Sequence, residues 1–187
     1  LKDEAVLNDR ARINRLVLTL ALLRERQYSQ AREALAPLLA DDPQRVDYIV
    51  AATEIALAEN HYDEAITLLD KARQLNPDSY PLLMYGARAH ILGNDAASMI
   101  EPLEAAARER SDDAQLWRLL MDAYTSTRDS LGIYRAKAEV YFLNGNEEKA
   151  LDQLKLAADE VKNNYPLTAK IQKRMREIEQ SKNDMKR

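Results

Sequence analysis

Apolar and polar residues follow one another along this chain in short amphipathic stretches that have the period of an α-helix. In "AREALAPLLA", residues 31–40, apolar positions recur three or four residues apart, which places them on one helix face. Stretches rich in Asp, Asn, Ser, Pro or Gly separate these segments and indicate turns. The pattern predicts ten helices, with residues 1–8 as a short preceding turn or tail. The predicted helices cover residues 9–26, 29–41, 45–59, 63–75, 81–92, 96–110, 113–127, 130–143, 147–162 and 166–183.

Two of these segments are nearly the same text. "QYSQAREALAPLLADDP" occupies residues 27–43, and "HYDEAITLLDKARQLNP" occupies residues 61–77, so that Tyr28, Ala31 and Pro43 each recur at one constant offset. A small alanine side chain lets the second helix of a pair lie close to the first. Proline ends that second helix, because it has no N–H and because it keeps the preceding residue out of the α region. The spacing therefore predicts a repeated pair of helices.

The period continues, and its marked positions resemble those of a known repeat. Further along, "LWRLLMDAYTSTRD" places Trp117, Leu120 and Tyr124 three and four residues apart in the first helix of another pair. Together with the small residue in the second helix, the closing proline and a period of about 34 residues, this pattern resembles the tetratricopeptide repeat. The resemblance implies an all-α solenoid of antiparallel helix pairs that binds other proteins and does no chemistry of its own.

One step in the repeat frame is only half a period long. The "GNEEKALDQLKLAA" segment again carries an alanine, Ala150, in the slot of Ala31, but its repeat begins at Leu131, half a period after the preceding repeat begins at Ala114. One helix must then serve two successive repeats. We expect a single solenoid over residues 1–187, with a last helix that caps its apolar end. The repeats lie near 12–45, 46–79, 80–113 and 114–130, the last continuing into 131–163, and the capping helix covers 166–183.

The end of the chain carries a more specific resemblance. "RAKAEVYFLNGNEEKALDQLKLAADEV", followed by "YPLTAKIQKRMREIEQ", resembles the close of the tetratricopeptide domain in bacterial periplasmic zinc metallopeptidases of the β-barrel assembly-enhancing type. The resemblance is specific over residues 131–187, whereas residues 12–127 match any tetratricopeptide protein. It implies a module behind an N-terminal peptidase domain, docking on outer-membrane assembly machinery or its substrates and positioning the peptidase.

Composition narrows the compartment and the partners. There is no cysteine, which suits the periplasm and the cytoplasm equally, and no run approaches the roughly 18 apolar residues needed to span a bilayer. The net charge is −4, although residues 166–187 carry a local +4. We interpret that excess as a solvated helix end that complements the helix dipole; nucleic-acid or anionic-membrane binding is the alternative. The resemblance favours a periplasmic location, with cytoplasmic as the alternative. Because the chain opens on Leu1, we expect it to be a fragment or a processed chain.

The sequence shows no arrangement of residues for metal-dependent catalysis, and no serine or threonine has a plausible base partner. Zinc peptidases place H-E-x-x-H on one helix, and this chain has only His61 and His90, which are far apart in the sequence. We expect His90 to be a core residue with a backbone partner and His61 to be a surface turn residue. No metal and no cofactor are expected, and the chain is predicted not to be an enzyme. In a longer parent protein, H-E-x-x-H would lie upstream.

The remaining place for function is the inner face of the first helices of the repeats. In tetratricopeptide arrays, positions 2, 5, 9 and 12 of these helices line a groove. The first repeat puts an apolar row there, formed by Ile13, Leu16, Leu20 and Leu23. We interpret this row as an interface, unless residues 1–8 fold back over it. From the later repeats, six residues are predicted to bind the partner: Val50, Glu54, Met84, Arg88, Arg118 and Asp122.

Two functions remain open at this stage. The first is the non-catalytic repeat domain of a periplasmic zinc peptidase, with a protein or peptide partner. The second is a free-standing tetratricopeptide scaffold or adaptor with no peptidase attached. Nucleic acid is not an expected partner in either case.

Overall fold

The structure is a computed structural model that describes residues 2–184, with side chains described for residues 9–182. These residues form ten α-helices and fall into two compact units, Leu1–Gly93 and Asn94–Arg187. The first unit contains α1 (Lys2–Arg24), α2 (Tyr28–Asp41), α3 (Val46–Ala58), α4 (Tyr62–Leu75) and α5 (Tyr80–Leu92). The second contains α6 (Ala97–Glu109), α7 (Ala114–Thr127), α8 (Ser130–Leu143), α9 (Glu147–Glu160) and α10 (Tyr165–Asp184).

In the first unit, each helix packs against the next, and α3 also touches α1 and α5. The predicted small residues explain the close packing, because Ala31 of α2 and Ala65 of α4 are both fully buried where these helices meet their neighbours. Leu35 and Leu69, one helical turn further along, fill the space beside them and are also buried. The all-α, helix-pair fold that the repeat pattern predicted is confirmed.

The second unit is built around a core shared by α8, α9 and α10. Ala150 and Leu154 of α9 are buried, and they pack with Ile171 and Ile178 of α10, which are 5% and 0% exposed. Met175 lies at the edge of the same cluster. The prediction that α10 is a capping helix is therefore confirmed. Its apolar positions at i, i+4 and i+7 form one stripe, and that stripe faces the core.

The turns that join helices keep the repeat period. Four residues other than glycine adopt a left-handed backbone, with φ from 59° to 62°, and they are evenly spaced along the chain: Arg26, Asn60, Asn94 and Arg128. The next left-handed residue is Gly145, with φ 72°, and it follows after only half that interval. Each of these residues follows the end of a helix, where a left-handed residue lets the backbone turn back and bond the last carbonyls. The half-period step predicted from the sequence is thus also present in the spacing of the turns.

The helix boundaries differ from the predicted ones by at most two residues, except at the start of the chain. There α1 begins at Lys2, so the prediction of a separate turn or tail over residues 1–8 is wrong for residues 2–8. The residues before Asp9 have good helix propensity and no proline or glycine, and nothing in their chemistry ends the helix. Because these residues prolong α1 in the same direction, they do not fold back over its apolar row.

Candidate functional site

A groove runs over the first helices of the pairs in the first unit, with a volume of about 910 Å³. We call it the first-unit groove. Helix α1 supplies most of its apolar surface, α3 supplies one wall, and α5 contributes a single cation. The residues that line it are Val17, Leu20, Ala21, Leu23, Arg24, Glu25, Glu54, Leu57, Ala58 and Arg88.

The charged residues of the first-unit groove differ in how firmly they are held. Glu54 accepts a hydrogen bond of 2.7 Å from the hydroxyl of Tyr85. Burial, followed by this bond to Glu54, raises the pKa of Tyr85 to about 12, so the phenol stays protonated and keeps donating. Arg88 is exposed and makes no ion pair with any described side chain. The other two charged lining residues, Arg24 and Glu25, are exposed at the end of α1. The groove therefore offers one carboxylate that Tyr85 holds in place and, on α5, a guanidinium that is available to a ligand.

The predicted apolar row of α1 is only partly exposed. Ile13 and Leu20 are 57% and 42% exposed, whereas Leu16 and Leu23 pack against the core beside α2. Val17, which the sequence reasoning did not include, is the most exposed of this face at 59%. Its position one turn before Leu20 is the signal that could have found it. The exposed apolar face of α1 therefore consists of Ile13, Val17 and Leu20.

The six predicted partner-binding residues do not all lie in this groove. Glu54 and Arg88 line it together, while Val50 and Met84 are half-buried in the same unit and are outside its lining. Val50 packs against the buried cluster that includes Leu57. The remaining two, Arg118 and Asp122, are exposed residues of α7 in the second unit. Partial burial raises the pKa of Asp122. Their role in binding stays a prediction.

The second unit contains a cavity of about 510 Å³ that sequence reasoning missed. We call it the second-unit cavity, and all five helices of this unit contribute to it. Its apolar lining consists of Ala107, Trp117, Leu120, Tyr124, Leu131, Ala136, Leu154, Leu167 and Ile171. Its charged lining consists of Glu104, Arg108, Arg135, Glu139, Lys170 and Arg174.

Arg174 shows why this cavity was hard to foresee. The sequence predicted that the excess positive charge of residues 166–187, which include Lys170, Lys173 and Arg174, lies on a solvated helix end. Lys173 is indeed exposed, but Arg174 donates to both carboxylate oxygens of Glu139 at 2.7 and 2.8 Å. Its guanidinium also stacks 4.8 Å from the ring centre of Phe142. The partner is 35 residues away on another helix, which no local spacing indicates.

Neither histidine belongs to a metal site. His90 is buried, as expected, and its Nε2 lies 3.2 Å from the carboxylate of Asp70, a side-chain partner that the sequence did not indicate. His61 is exposed beside Glu59 and Glu64. Across the described residues, no group of three or more His, Cys, Asp or Glu side chains is arranged to hold a metal ion. None of the helices in the described part of the chain is long and apolar enough to cross a bilayer.

Comparisons with known proteins agree with this geometry. A family profile described as "Tetratricopeptide repeat" matches residues 56–123. The chain is 33% identical over 137 residues to the β-barrel assembly-enhancing protease of Escherichia coli K12, covering 73% of this chain. It is 29% identical over 141 residues to that of Yersinia pestis. The matches span 28% and 29% of the length of those relatives.

Solved structures show the same fold. The MamA 41-end chain from Desulfovibrio magneticus RS-1 superposes with a TM-score of 0.64 at 17% identity, over 91% of this chain and 96% of that one. The MamA RS-1 ArsTM double mutant gives the same TM-score at 16% identity, over 93% and 97% of the two chains. The chain therefore has the tetratricopeptide-repeat fold, matches the repeat profile over residues 56–123, and is similar, over most of its length, to part of the β-barrel assembly-enhancing proteases.

Proposed function

We propose that the chain is the non-catalytic repeat domain of a periplasmic zinc metallopeptidase that acts in outer-membrane protein assembly or quality control. A tetratricopeptide domain is a protein-interaction module, and here it would bind a partner or substrate and position the peptidase. The observation that carries the proposal is the first-unit groove, where exposed apolar side chains of α1 lie beside the available guanidinium of Arg88. The similarity to the assembly-enhancing proteases supports the cellular role.

The groove suits a partner segment that presents apolar side chains next to a carboxylate. Apolar side chains of the partner would cover Val17 and Leu20, and burying a side chain of this size contributes roughly 1.5–3 kcal/mol. The partner's carboxylate would take two hydrogen bonds from Arg88, whose planar fork matches it. Glu54 stays bonded to Tyr85 and would repel a second carboxylate, which sets the direction of the bound segment.

The other four predicted residues would extend the contact beyond this groove. Val50 and Met84 present half-buried apolar surface in the first unit, and Arg118 and Asp122 present opposite charges in the second. We propose that they bind further parts of the same partner. No step of catalysis is assigned to this chain, and it would act by contact alone.

The test is capture of partners from periplasmic and outer-membrane extract by the whole chain, with crosslinking and identification by mass spectrometry. The variant is Arg88→Glu with Arg118→Glu, and the matched control is Lys71→Glu with Lys162→Glu. The control changes the net charge equally, with one exposed lysine in each unit. Both should keep the helical circular dichroism, and only the first should lose capture, by about tenfold, which corresponds to about 1.4 kcal/mol.

The outcomes separate the two hypotheses for the function. Capture that the Arg88 and Arg118 substitutions leave unaltered would move the binding surface to the second helices of the pairs or to the apolar face of α1 alone. If nothing is captured from these extracts while cytosolic extract yields specific partners, the chain is a free-standing scaffold or adaptor.

A further inference from the structure

We propose that the second-unit cavity is a separate peptide-binding site, which takes an apolar side chain of a partner protein together with an adjacent Asp or Glu side chain. This site is distinct from the first-unit groove in its residues and does not depend on that groove binding a partner. The apolar side chain would enter the cavity, and the carboxylate would be held at its rim by Arg108, Arg135 and Lys170.

The shape of the cavity supports insertion of a side chain. Its volume of about 510 Å³ lies within the roughly 300–1,000 Å³ of pockets that bury a ligand. The deepest lining residues are apolar, since Leu120 and Ala136 are fully buried and Leu154 is 2% exposed. The cations Arg108 and Lys170 are exposed, and they therefore mark the mouth through which a ligand enters.

The charges of the lining favour an anion. The lining has four cations and two carboxylates, an excess of +2 in a chain whose net charge is −4. Both carboxylates are already engaged. Glu139 accepts two hydrogen bonds from Arg174, and Glu104 accepts the hydroxyl of Tyr124. They therefore cannot fully neutralise the remaining cations.

Those remaining cations have few partners of their own. Within residues 9–182, Arg108 and Lys170 make no ion pair, and Arg135 reaches Glu104 only at 3.9 Å while its side chain is 47% exposed. Three cations around one opening would favour a carboxylate over a neutral or basic group. A charge-assisted hydrogen bond also contributes more to affinity than a neutral one.

The polar groups of the two aromatic residues in the cavity wall are not available to a ligand. The indole N–H of Trp117 donates to the backbone oxygen of Ser111 at 2.9 Å, and the hydroxyl of Tyr124 is held by Glu104. Both rings therefore offer the cavity their apolar surface. A ligand must combine apolar bulk with a negative charge. Because a tetratricopeptide domain binds proteins, we assign that combination to neighbouring side chains of a protein segment.

Trp117 provides a built-in reporter for the test, because it is the sole tryptophan of the chain and it lines the cavity. A random octapeptide phage library is panned against the whole chain, and enriched peptides are synthesised with both ends blocked. Their binding is then followed by Trp117 fluorescence. We expect enriched peptides to carry Asp or Glu next to an aromatic or branched apolar residue. We also expect a counterpart with Asn or Gln to bind at least about tenfold more weakly, which is about 1.4 kcal/mol.

Variants locate the binding. Arg108→Glu with Lys170→Glu should abolish the fluorescence change, and Arg108→Gln with Lys170→Gln, a milder pair, should weaken binding by about tenfold or more. The control is Lys162→Glu with Arg176→Glu, an equal charge change at exposed residues outside the lining. It should bind like the parent.

Three results would overturn the proposal. The first is a library that enriches no peptide, or enriches neutral or basic ones. The second is binding that survives in a folded Arg108 and Lys170 variant. The third comes from sodium decanoate, a free carboxylate on an apolar stem. If decanoate changes the fluorescence with a lower dissociation constant than every peptide, the cavity binds free amphiphiles and not a protein segment.

Discussion

The first helix of the first unit and the last helix of the second unit differ in what they do with their apolar side chains. Helix α1 leaves Ile13 and Val17 more than half exposed, whereas α10 buries Ile171 and Ile178. The ends of a repeat array are soluble when the outer face of the last helix is polar. By that criterion α10 can end a repeat array, whereas α1 still has apolar side chains on its outer face. The difference teaches that α1 leaves an apolar face for a partner to cover, whereas α10 contributes to binding only through its part of the second-unit cavity lining.

The ion pairs of the two units also differ in how far they are buried. Arg32, 38% exposed, bonds to Glu59 and Glu64, which are 21% and 40% exposed. Arg174, 31% exposed, bonds to Glu139, which is 12% exposed, and it also stacks on Phe142. An exposed pair contributes little to the free energy of unfolding, whereas loss of one partner of a buried pair is costly. Four changes, taken from the largest expected effect to the smallest, would break or sharpen this comparison.

Removal of α10 should have the largest effect. A chain that ends at Tyr165 loses Ile171 and Ile178, and full removal of one such buried side chain usually costs about 2–5 kcal/mol. We expect the second unit to lose at least about 4 kcal/mol of unfolding free energy. Urea unfolding followed by Trp117 fluorescence measures this unit, and dye binding measures the apolar surface exposed. The control Glu179→Ala, at an exposed position of α10, should change neither the unfolding midpoint nor the dye binding. An unchanged midpoint without dye binding would make α10 a free tail.

Gly132→Ala tests the packing between α7 and α8. A Cβ at this buried position would lie well inside van der Waals distance of the ring atoms of Tyr124, which is held in place by Glu104. Alanine is the better helix former by about 1 kcal/mol. We nevertheless expect a net loss of about 1–3 kcal/mol from overpacking. The measurement is thermal unfolding by circular dichroism. A variant more stable than the parent would show that the ring can move aside.

Arg174→Met and Arg32→Met compare the two ion pairs directly. Arg174→Met leaves Glu139 inside without its partner, and because Arg174 is 31% exposed we expect a loss of about 1–3 kcal/mol, below the roughly 3–5 kcal/mol of a fully buried pair. Arg32→Met should cost about 0–1 kcal/mol. Chemical unfolding of both variants in low and high salt measures the two losses. Equal losses in the two units would contradict the distinction drawn between them.

The acid dependence of Glu64 should be the smallest effect. The hydrogen bond from Arg32 holds the pKa of Glu64 below its ordinary value of 4.5. A carboxylate with a depressed folded-state pKa stabilises the fold above its unfolded-state pKa, and that stability is lost as the pH falls below about 4.5. We expect Arg32→Met to flatten this part of the stability profile by less than about 1 kcal/mol. Lys155→Met, which removes an exposed pair, is the control. A profile as steep as that of the parent would contradict the assignment.

The sequence by itself determined the local structure of this protein. The apolar period placed all helix ends within two residues except the start of α1, and the alanine slots of Ala31, Ala65 and Ala150 proved to be buried. The half-period step was visible at Leu131 and reappears as the left-handed turn at Gly145. These features follow from interactions between residues close in the chain, which leave a repeating pattern in the text.

The tertiary structure alone decided which side chains form the candidate sites. Arg174 meets Glu139, and Trp117 lines a cavity with Leu154 and Ile171, although these residues are far apart in the chain. The same limit explains why Leu16, predicted to line the groove with Leu20, packs inward instead, while Leu23 both contacts the core and lines the groove. Helical spacing fixes the face of a helix on which a residue lies. It does not fix which neighbouring helix covers that face, because this depends on packing between elements that the chain brings together only when it folds.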